Sequence, residues 1–392
     1  MIRLTLYDDS AEFGGHQVMA HAALRSLLRH PAFSVTLVYN SANTLWVEAV
    51  ERLEEADRNR LNLVATARPE NRLARCRLRL SRVIPPRLIR FWTNHPADAV
   101  LFIQNSVEQG CVSLAAARAA GKRIFSYIPL YHGFAQMEAR FGEMRDAFNR
   151  SLLDLPHAYI TITRSMAEGL RRRGADQPIE IVENGIDWDL FQPASREAAR
   201  AKLGWSASER ILGQVGRIDF TQKAQDFLLR FWEEHRSEIR FNRLVFVGTG
   251  PDFQRLARLV RKAGLADTVT LTGWVDPVEV YPALDALIIP SRYEGLPLVM
   301  LEAIACGLPV AASDRDGMAD VLPHGWRYPA FDDAALVRVL RVLPRPGANE
   351  IETLRARLIA HYRLERFEQG FAGALQRLSE IPWIEGGSGL GS

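Results

Sequence analysis

The sequence has few cysteines and no obvious cluster of metal ligands. Its 392 residues include only Cys76, Cys111 and Cys306, which lie far apart and form no CxxC or cysteine–histidine pattern. This spacing disfavours both a disulfide framework and a structural zinc site. Reduced thiols are typical of cytosolic proteins, so we expect a cytoplasmic location.

Long apolar runs and a strong net charge are also missing. No stretch of about 18 apolar residues is present, so no membrane-spanning helix is expected. The first apolar strand begins at Ile2, and we expect no signal peptide before it. The formal net charge is only +3, which argues neither for nor against an anionic partner. No nucleic-acid partner is expected. The glycine-rich residues 386–392 are expected to be a flexible tail.

What the chain does contain is a repeated alternation of strands and helices. The first series has predicted strands at 2–7, 33–39, 99–103, 123–127, 158–162 and 179–182, with helices at 16–29 and 44–56 among those between them. The second has strands at 211–215, 244–247, 269–271, 286–289 and 310–312, with helices at 224–234, 253–263 and 298–305. Such alternation predicts parallel sheets covered by helices. We expect an α/β fold of two Rossmann-like domains facing a central cleft.

The turn signal Asn184-Gly185 and the break near Pro193 place the predicted domain junction. The expected boundaries are 1–183 for an N-terminal acceptor domain and 184–365 for a C-terminal donor domain. A final helix at 366–385 is expected to pack back on the N-terminal domain.

Two glutamates, Glu294 and Glu302, give the strongest functional indication. Glu294 follows a predicted strand, and Glu302 lies in an apolar helix where an unpaired carboxylate is costly. Pro297 suits the first helical turn, whose free N–H groups form a natural diphosphate site. The predicted donor-binding residues in this stretch are Gly295, Leu296, Pro297, Leu298, Val299 and Glu302. Glu294 is predicted to bind the transferred sugar and Glu302 the ribose hydroxyls.

Two cations, Arg217 and Lys223, follow the first strand of the second series. Lys223 is predicted near a helix start, where the helix dipole disfavours a cation, and such a broken rule often marks a site. Both side chains are candidates for binding a diphosphate and stabilising its charge as the sugar leaves.

Weaker candidates surround these residues. Gly14 and Gly15, and Gly248 in Gly-Thr-Gly, could let the backbone approach a phosphate. The third glycine of the dinucleotide fingerprint is missing at Gly248-Thr249-Gly250, which disfavours a nicotinamide enzyme. His132 follows a predicted strand and could bind the donor sugar. Two D-x-D patterns, at 187–189 and 314–316, are interpreted as coincidental, so no metal or other cofactor is expected.

An arginine-rich segment spans residues 68–90, with a single acid, Glu70. Apolar and aromatic residues lie between its arginines, and Pro85-Pro86 must break any helix there. This composition suits an anionic membrane surface or a lipid-diphosphate acceptor, although a solvated amphipathic helix is an open alternative. The arginines predicted to make this contact are Arg75, Arg77, Arg79 and Arg82.

Taken together, these motifs resemble glycosyltransferase family 4, the retaining enzymes of the GT-B fold. The resemblance rests on the Glu294–Glu302 stretch continuing to Pro309, on Arg217 with Lys223, and on the segments 183–187 and 246–251. It departs from the family at residues 314–320, where two glycines and a glutamate are common, and at Ala224, where a glycine is common.

The resemblance implies a nucleotide-sugar donor, with Trp274 and Val275 near the base. It also implies retention at the anomeric carbon, with Arg217, Lys223 and Glu294 closest to the chemistry. Residues 129–136 match no family pattern, so His132 is a catalytic candidate only because it follows a predicted strand. The expected partners are the nucleotide sugar, a sugar or lipid-linked acceptor and an anionic membrane surface, in the synthesis of a cell-surface glycan or glycolipid. A nucleotide-sugar epimerase of the same architecture is the main alternative, and an inactive sugar-binding module is a third.

Overall fold

The computed structural model describes residues 1–10, 15–66 and 72–382. Within them the chain forms two compact units, one of residues 1–184 together with the chain from 365 onward, and one of residues 185–364. We call them unit 1 and unit 2. The division falls within one residue of the boundaries expected from the sequence.

Unit 1 is built on a parallel seven-stranded sheet with the order β3-β2-β1-β4-β5-β6-β7. Its strands are β1 Ile2–Asp8, β2 Phe33–Asn40, β3 Leu61–Thr66, β4 Ala99–Ile103, β5 Arg123–Tyr127, β6 Ala158–Thr161 and β7 Ile179–Ile181. Its helices up to this point are α1 Gly15–Arg29, α2 Thr44–Glu51, α3 Glu55–Arg58, α4 Arg72–Ser81, α5 Pro86–Asn94, α6 Cys111–Ala119, α7 Gly142–Asn149 and α8 Arg164–Arg172. Every residue of the central strand β4 is buried, as expected for a sheet covered on both faces.

Unit 2 contains a parallel six-stranded sheet with the order β10-β9-β8-β11-β12-β13. Its strands are β8 Ile211–Val215, β9 Arg243–Val247, β10 Val269–Gly273, β11 Ala286–Ile289, β12 Val310–Ser313 and β13 Arg327–Tyr328. Its helices are α9 Arg196–Leu203, α10 Phe220–Lys223, α11 Gln225–His235, α12 Phe253–Lys262, α13 Pro277–Val280, α14 Leu298–Ala305, α15 Asp316–Val321, α16 Asp333–Val342 and α17 Asn349–Ile359. Short 3-10 helices occupy Arg150–Leu152, Arg236–Glu238, Tyr281–Ala283 and His324–Trp326.

The last helix, α18 Leu364–Glu380, belongs almost entirely to unit 1. Glu368 forms an ion pair with Arg25 of α1, and Arg377 forms one with Glu180 at 2.8 Å. Phe371 packs edge-on against Tyr127 of β5, with ring centroids 5.2 Å apart. The C-terminal helix is therefore held to unit 1 by both charged and aromatic contacts.

The sequence-based elements differ from the structure in a few places. Strand β3 was missed because it has no fully buried residue and so no continuous apolar run, and β13 was missed because it has two residues. The helix predicted at 44–56 is two helices, α2 and α3. The helix predicted at 224–234 begins one residue later as α11, because Ala224 has a left-handed backbone with φ of 51°.

None of the helices in the described part of the chain combines the length and the apolar character that crossing a bilayer requires.

Candidate active site

The strand order of the unit 2 sheet reverses between β8 and β11. The chain runs from β8 outward to β9 and β10, and then crosses back to β11 on the other side of β8. Arg217 and Lys223 follow β8, and Glu294 follows β11. In open parallel sheets ligands bind at the carboxyl ends of the strands where the order reverses. The topology therefore places the three predicted residues at the expected ligand crevice of unit 2.

Glu294 is buried and joined to Lys223. Only 5% of the residue's surface is exposed. The Nζ of Lys223 donates to its Oε1 at 2.5 Å, and the hydroxyl of Ser291 donates to the same oxygen at 2.7 Å. These bonds offset the cost of burying the carboxylate. An ammonium has three N–H donors, and the bond to Glu294 uses one of them.

Lys223 lies two residues before the start of α11, as predicted, and it also ends the short helix before it. It is the last residue of the four-residue helix α10, and α11 begins only after Ala224. A cation at a C-terminal helical position is favoured by the dipole. Ala224 explains the break, because its left-handed backbone separates the two helices.

The loop after β12 supports the loop that carries Glu294. The backbone N–H of Glu294 donates to Oδ2 of Asp316 at 2.9 Å, and the N–H of Gly317 donates to the carbonyl of Gly295 at 2.9 Å. A Cβ at Gly317 would lie 2.5 Å from that carbonyl oxygen, so only glycine allows this approach. In the sequence, residues 314–316 stand out only as a D-x-D pattern, which does not reveal that Asp316 accepts the N–H of Glu294.

Glu302 lies in α14 and has a hydrogen-bond partner that the sequence did not reveal. The hydroxyl of Tyr281 donates to its Oε2 at 2.6 Å. Burial among apolar residues raises the pKa of Glu302 to about 7, although the bond from Tyr281 acts in the opposite direction. The ionised and neutral forms of this carboxyl are thus both populated near neutral pH. Tyr281 lies in another segment, and no local pattern links it to Glu302.

The turn before α14 has the predicted kind of geometry with one difference. Pro297 is the residue before the helix, not a member of its first turn, and Leu298 is the first helical residue. Gly295 and Leu296 are buried, and Leu298 and Val299 are partly exposed. The first N–H groups of a helix have no partner within it, so this end of α14 can accept an anion.

Gly248 has a structural role that conflicts with its predicted contact to a phosphate. A Cβ there would lie 2.1 Å from the carbonyl oxygen of Gly216, so the glycine lets the loops after β8 and β9 touch. Its N–H donates to the carbonyl of Gly273 at 2.7 Å and is already used. Beyond Gly273, Trp274 is 73% exposed and Val275 is partly exposed.

Arg217 is the more exposed of the two predicted cations. Its guanidinium lies 3.1 Å from Oδ2 of Asp219, and its side chain is 45% exposed. It also contacts Gln222 at 3.4 Å. An exposed ion pair of this kind contributes little to stability, so the side chain can be redirected at small cost.

The remaining predicted site residues lie in unit 1. His132 is 8% exposed and lines a cavity of about 530 Å³ together with residues of α7 and α8. Gly15 is the exposed first residue of α1, with no atom within 4 Å of a Cβ placed there. Gly14 lies outside the described residues.

The arginine-rich segment is only partly a surface. Arg79 pairs at 2.8 Å with Glu108, whose side chain is 8% exposed, so the prediction that Arg79 faces a membrane or acceptor is wrong. Burial by itself would raise the pKa of Glu108, but hydrogen bonds from Arg145 and Asn149 and the nearby arginine charges outweigh it and lower the pKa to about 2. Arg77 and Arg82 are exposed and Arg75 is partly buried.

Most apolar residues of the segment also pack inward. Those that lie in or against the core of unit 1 are Leu78, Ile84, Leu88, Ile89, Phe91 and Trp92. Leu73, Leu80 and Val83 are exposed, at 58%, 69% and 52%. As predicted, the helix breaks at the prolines, since α4 ends at Ser81 and α5 begins at Pro86. Arg68 lies outside the described residues.

The two D-x-D patterns have structural contacts. Oδ1 of Asp187 accepts the N–H groups of Asp189 and Leu190, which closes a turn, and Asp314 pairs with Arg327. A separate group, formed by Glu234, His235 and Asp333, places its ligand atoms within 4.8 Å of one another. Arg230 donates to both carboxylates of that group, at 3.0 and 2.9 Å, and so already supplies a cation there.

Comparison with known protein families agrees with this arrangement. A family model described as Glycosyltransferase Family 4 matches residues 13–190, and one described as Glycosyl transferases group 1 matches residues 209–343. The chain belongs to the family 4 glycosyltransferases. The family resemblance predicted from the motifs is thereby confirmed.

Two curated relatives are D-inositol 3-phosphate glycosyltransferases. That of Thermobispora bispora is 36% identical over 159 residues, which are 38% of this chain and 37% of the relative. That of Mycobacterium tuberculosis is 32% identical over 222 residues, or 52% of this chain and 45% of the relative. The match thus spans less than half the length of each of these relatives.

Solved structures match almost the whole chain. Anabaena HepE in complex with UDP and glucose has a TM-score of 0.74 at 15% identity, covering 96% of this chain and 100% of that one. Sucrose-phosphate synthase from Thermosynechococcus elongatus also has a TM-score of 0.74, at 19% identity, covering 97% and 100%. These likenesses confirm the predicted GT-B fold class.

Proposed function

We propose that this family 4 glycosyltransferase transfers a hexose from a nucleoside-diphosphate sugar to an acceptor hydroxyl with retention at the anomeric carbon. The observation that carries the proposal is the buried Lys223–Glu294 pair at the reversal point of the unit 2 sheet, beside the N-terminus of α14. The complexes of HepE with UDP and with UDP-glucose support a nucleotide-sugar donor.

The donor would be held by three kinds of contact. The ammonium of Lys223, the guanidinium of Arg217 and the N-terminus of α14 neutralise the diphosphate. The carboxylate of Glu302 accepts the two ribose hydroxyls, and Tyr281 orients it with its 2.6 Å hydrogen bond. Trp274 and Val275 lie near the base. Glu294 binds hydroxyls of the sugar, with Lys223 bridging it to the phosphates.

The chemical step relies on charge stabilisation. As the bond between the anomeric carbon and the diphosphate breaks, negative charge grows on the phosphate oxygens. Preorganised cations stabilise that charge in the transition state. The leaving diphosphate then takes the proton of the acceptor hydroxyl, so no protein nucleophile is needed. The family resemblance supports this route and the retained configuration.

A thermal-shift panel of nucleoside diphosphates and their sugars tests donor binding. A ligand at 100 times its dissociation constant should stabilise the protein by about 2.7 kcal/mol. The Lys223→Ala variant is the matched control and should lose most of the shift. Incubation with the donor then distinguishes the reactions, because a new glycoside supports the transferase and a free epimer supports the epimerase. No response to any nucleotide would contradict the proposal.

Transfer is proposed to proceed without a divalent metal or other cofactor. The support is positive charge already present, since Arg217 and Lys223 follow β8 and the N-terminus of α14 follows β11, next to each other in the unit 2 sheet. Activity should therefore survive exhaustive chelation. Loss of activity in chelator, with recovery on adding magnesium or manganese, would overturn this part of the proposal.

The acceptor is proposed to be sugar or lipid-linked and to be bound by unit 1, which meets an anionic membrane face in cell-surface glycan or glycolipid synthesis. The supporting surface consists of exposed residues only: Arg77, Arg82, Leu73, Leu80 and Val83. Each cation near such a surface contributes about 1 kcal/mol.

Liposome sedimentation at low and high salt tests this membrane contact. Arg77→Gln with Arg82→Gln should reduce binding to acidic vesicles at low salt, because both side chains are exposed. Binding should weaken further as salt shortens the screening length. A wild-type protein that ignores acidic vesicles even at low salt would contradict the membrane contact and favour a soluble acceptor.

A further inference from the structure

Unit 1 contains a cavity that the proposed donor chemistry does not use. It has a volume of about 530 Å³ and is lined by α7, the turn after α7, the end of α8 and the loop that carries His132. This size is within the range of small-molecule sites, and it is much larger than a single ion requires.

The lining carries an excess of positive charge. Four arginines, Arg150, Arg171, Arg172 and Arg173, face only two aspartates, Asp146 and Asp176, which leaves two positive charges in excess. The dipole of α8 places about half a negative charge at its C-terminal end, which offsets only part of that excess.

The arginines differ in how they are occupied. Arg173 is paired with Asp146 at 2.9 Å, and Arg172 with Glu168 at 3.7 Å. Arg171 donates to the carbonyl of Ala175 at 2.9 Å. Among the described residues, no carboxylate lies within ion-pair distance of Arg150 or Arg171. Both side chains are exposed, so their charge is available to a ligand that enters the cavity.

Two glycines hold arginine side chains against the backbone at the cavity. A Cβ at Gly133 would lie 1.8 Å from Nη2 of Arg173, so the guanidinium occupies the space that any other residue would fill. The guanidinium of Arg150 lies over Gly174, with its Nε 3.5 Å from the Cβ position, and Gly174 has a left-handed φ of 99°. Arg173 is thus held against the backbone, whereas Arg150 lies at the cavity wall and is exposed to solvent.

We propose that this cavity binds a phosphate ester, with Arg150 and Arg171 as its principal ligands. A guanidinium presents a planar fork of donors that matches phosphate oxygens in a bidentate manner. Because the cavity is larger than a phosphate, it also accommodates the group that carries it. Both a soluble sugar phosphate and a lipid headgroup offer this chemistry.

A lipid source has additional support from the surface of α7. Phe141, Met144 and Phe148, which follow a helical spacing, are 59%, 50% and 44% exposed. Asp146 and Asn149 of the same helix line the cavity. A phosphate bound in the cavity would therefore lie close to an exposed apolar surface.

Isothermal titration calorimetry with sodium phosphate at constant ionic strength tests the proposal. Wild type should bind phosphate saturably, and the Arg150→Gln, Arg171→Gln double variant should lose about tenfold or more in affinity. Arg164→Gln, an exposed residue at the opposite end of α8, is the matched control and should bind like wild type. Binding should persist in Lys223→Ala, which separates this cavity from the donor site of unit 2.

Equal phosphate affinity in wild type and the double variant would overturn the proposal. If the double variant unfolds at a lower temperature without phosphate, Arg150→Lys serves instead, since it keeps the charge but not the fork. It should bind more weakly than wild type.

A second arm distinguishes the sources by sedimentation with phosphatidylcholine vesicles, with and without phosphatidic acid. Binding that depends on phosphatidic acid and is lost in the double variant identifies a lipid headgroup. Phosphate binding that is lost in the double variant, with unchanged vesicle binding, identifies a soluble phosphate ester.

Discussion

Replacing Glu302 by glutamine should make the protein more stable and less able to bind its donor. The pKa of the Glu302 carboxyl is raised from an ordinary value of 4.5 to about 7, because the partly buried side chain is shielded from water in α14. Glutamine keeps a carbonyl oxygen that can accept the hydrogen bond of Tyr281. It has no charge to bury, so the main change on substitution is electrostatic.

The pKa difference sets the magnitude and the pH window. Between about pH 4.5 and 7 the folded protein retains a proton that the unfolded chain has lost. The unfolding free energy of wild type therefore falls as pH rises through this window. A difference of two to three pKa units corresponds to about 3 kcal/mol at pH 8. Glu302→Gln should be more stable than wild type by up to this amount at pH 8, and nearly equal to it at pH 4.5.

Urea titration followed by circular dichroism at several pH values measures the difference between the two proteins. Glu350→Gln, an exposed glutamate of α17, is the control and should follow wild type at every pH. The affinity for the nucleoside diphosphate that gives the largest thermal shift, measured at pH 8, should fall about tenfold or more in Glu302→Gln, since a hydrogen bond to a charged acceptor contributes about 1.5–3 kcal/mol. A variant that is less stable than wild type at pH 8, or one with the same pH dependence, would refute the pKa argument.

The other predictions concern charge at three places. A folded Arg217→Ala, Lys223→Ala double variant should lose about 100-fold or more in kcat, because it lacks the cations that stabilise the leaving diphosphate; wild-type turnover in steady-state assays would end the assignment. Arg79→Gln should lower the unfolding free energy by about 1–3 kcal/mol, because Glu108 loses one of its partners. Arg77→Gln, at an exposed residue, is the control and should change it by less than about 0.5 kcal/mol. Equal effects of the two substitutions in urea titrations would contradict the ion-pair assignment. Proton NMR of the fresh product should show the anomeric configuration of the donor, and an inverted linkage would exclude a retaining reaction.

The sequence was sufficient to predict the fold class and most strands of both sheets. Buried parallel strands such as β4 and β11 are continuous apolar runs, which a sequence shows directly. Glu302 could be singled out for a related reason, since a carboxylate in an apolar context needs a partner. Glu294 could be singled out because it follows a predicted strand, where ligands bind in parallel sheets. The partners themselves could not be predicted, because Tyr281 and Asp316 lie on other segments and are brought close only by the sheet order.

The departures from the family pattern have local explanations in the backbone. Ala224 stands where a glycine is common, and the structure gives it a left-handed φ of 51°. Asp316 lies in the stretch where two glycines are common, and it too is left-handed, with φ of 49°. Residues other than glycine are strained in this left-handed region of backbone conformation. Unlike glycine, Asp316 has a carboxylate, and this carboxylate accepts a hydrogen bond from the N–H of Glu294.

The arginines of unit 1 show why the composition of a segment is a poor guide to its role. The sequence places Arg79 in the same arginine-rich segment as its exposed neighbours. It does not reveal the ion pair of Arg79 with Glu108, which lies on a distant segment. No sequence pattern distinguishes Arg150 and Arg171, because single arginines beside a helix end are common. A buried or confined charge is costly unless an opposite charge lies near it. Applied to the structure, that rule assigns Arg79 to the stability of unit 1, where its partner is present. Arg150 and Arg171 are exposed to solvent, so the rule requires no partner for them. Their shared place in the lining of the cavity beside α8 is what makes them available to a ligand.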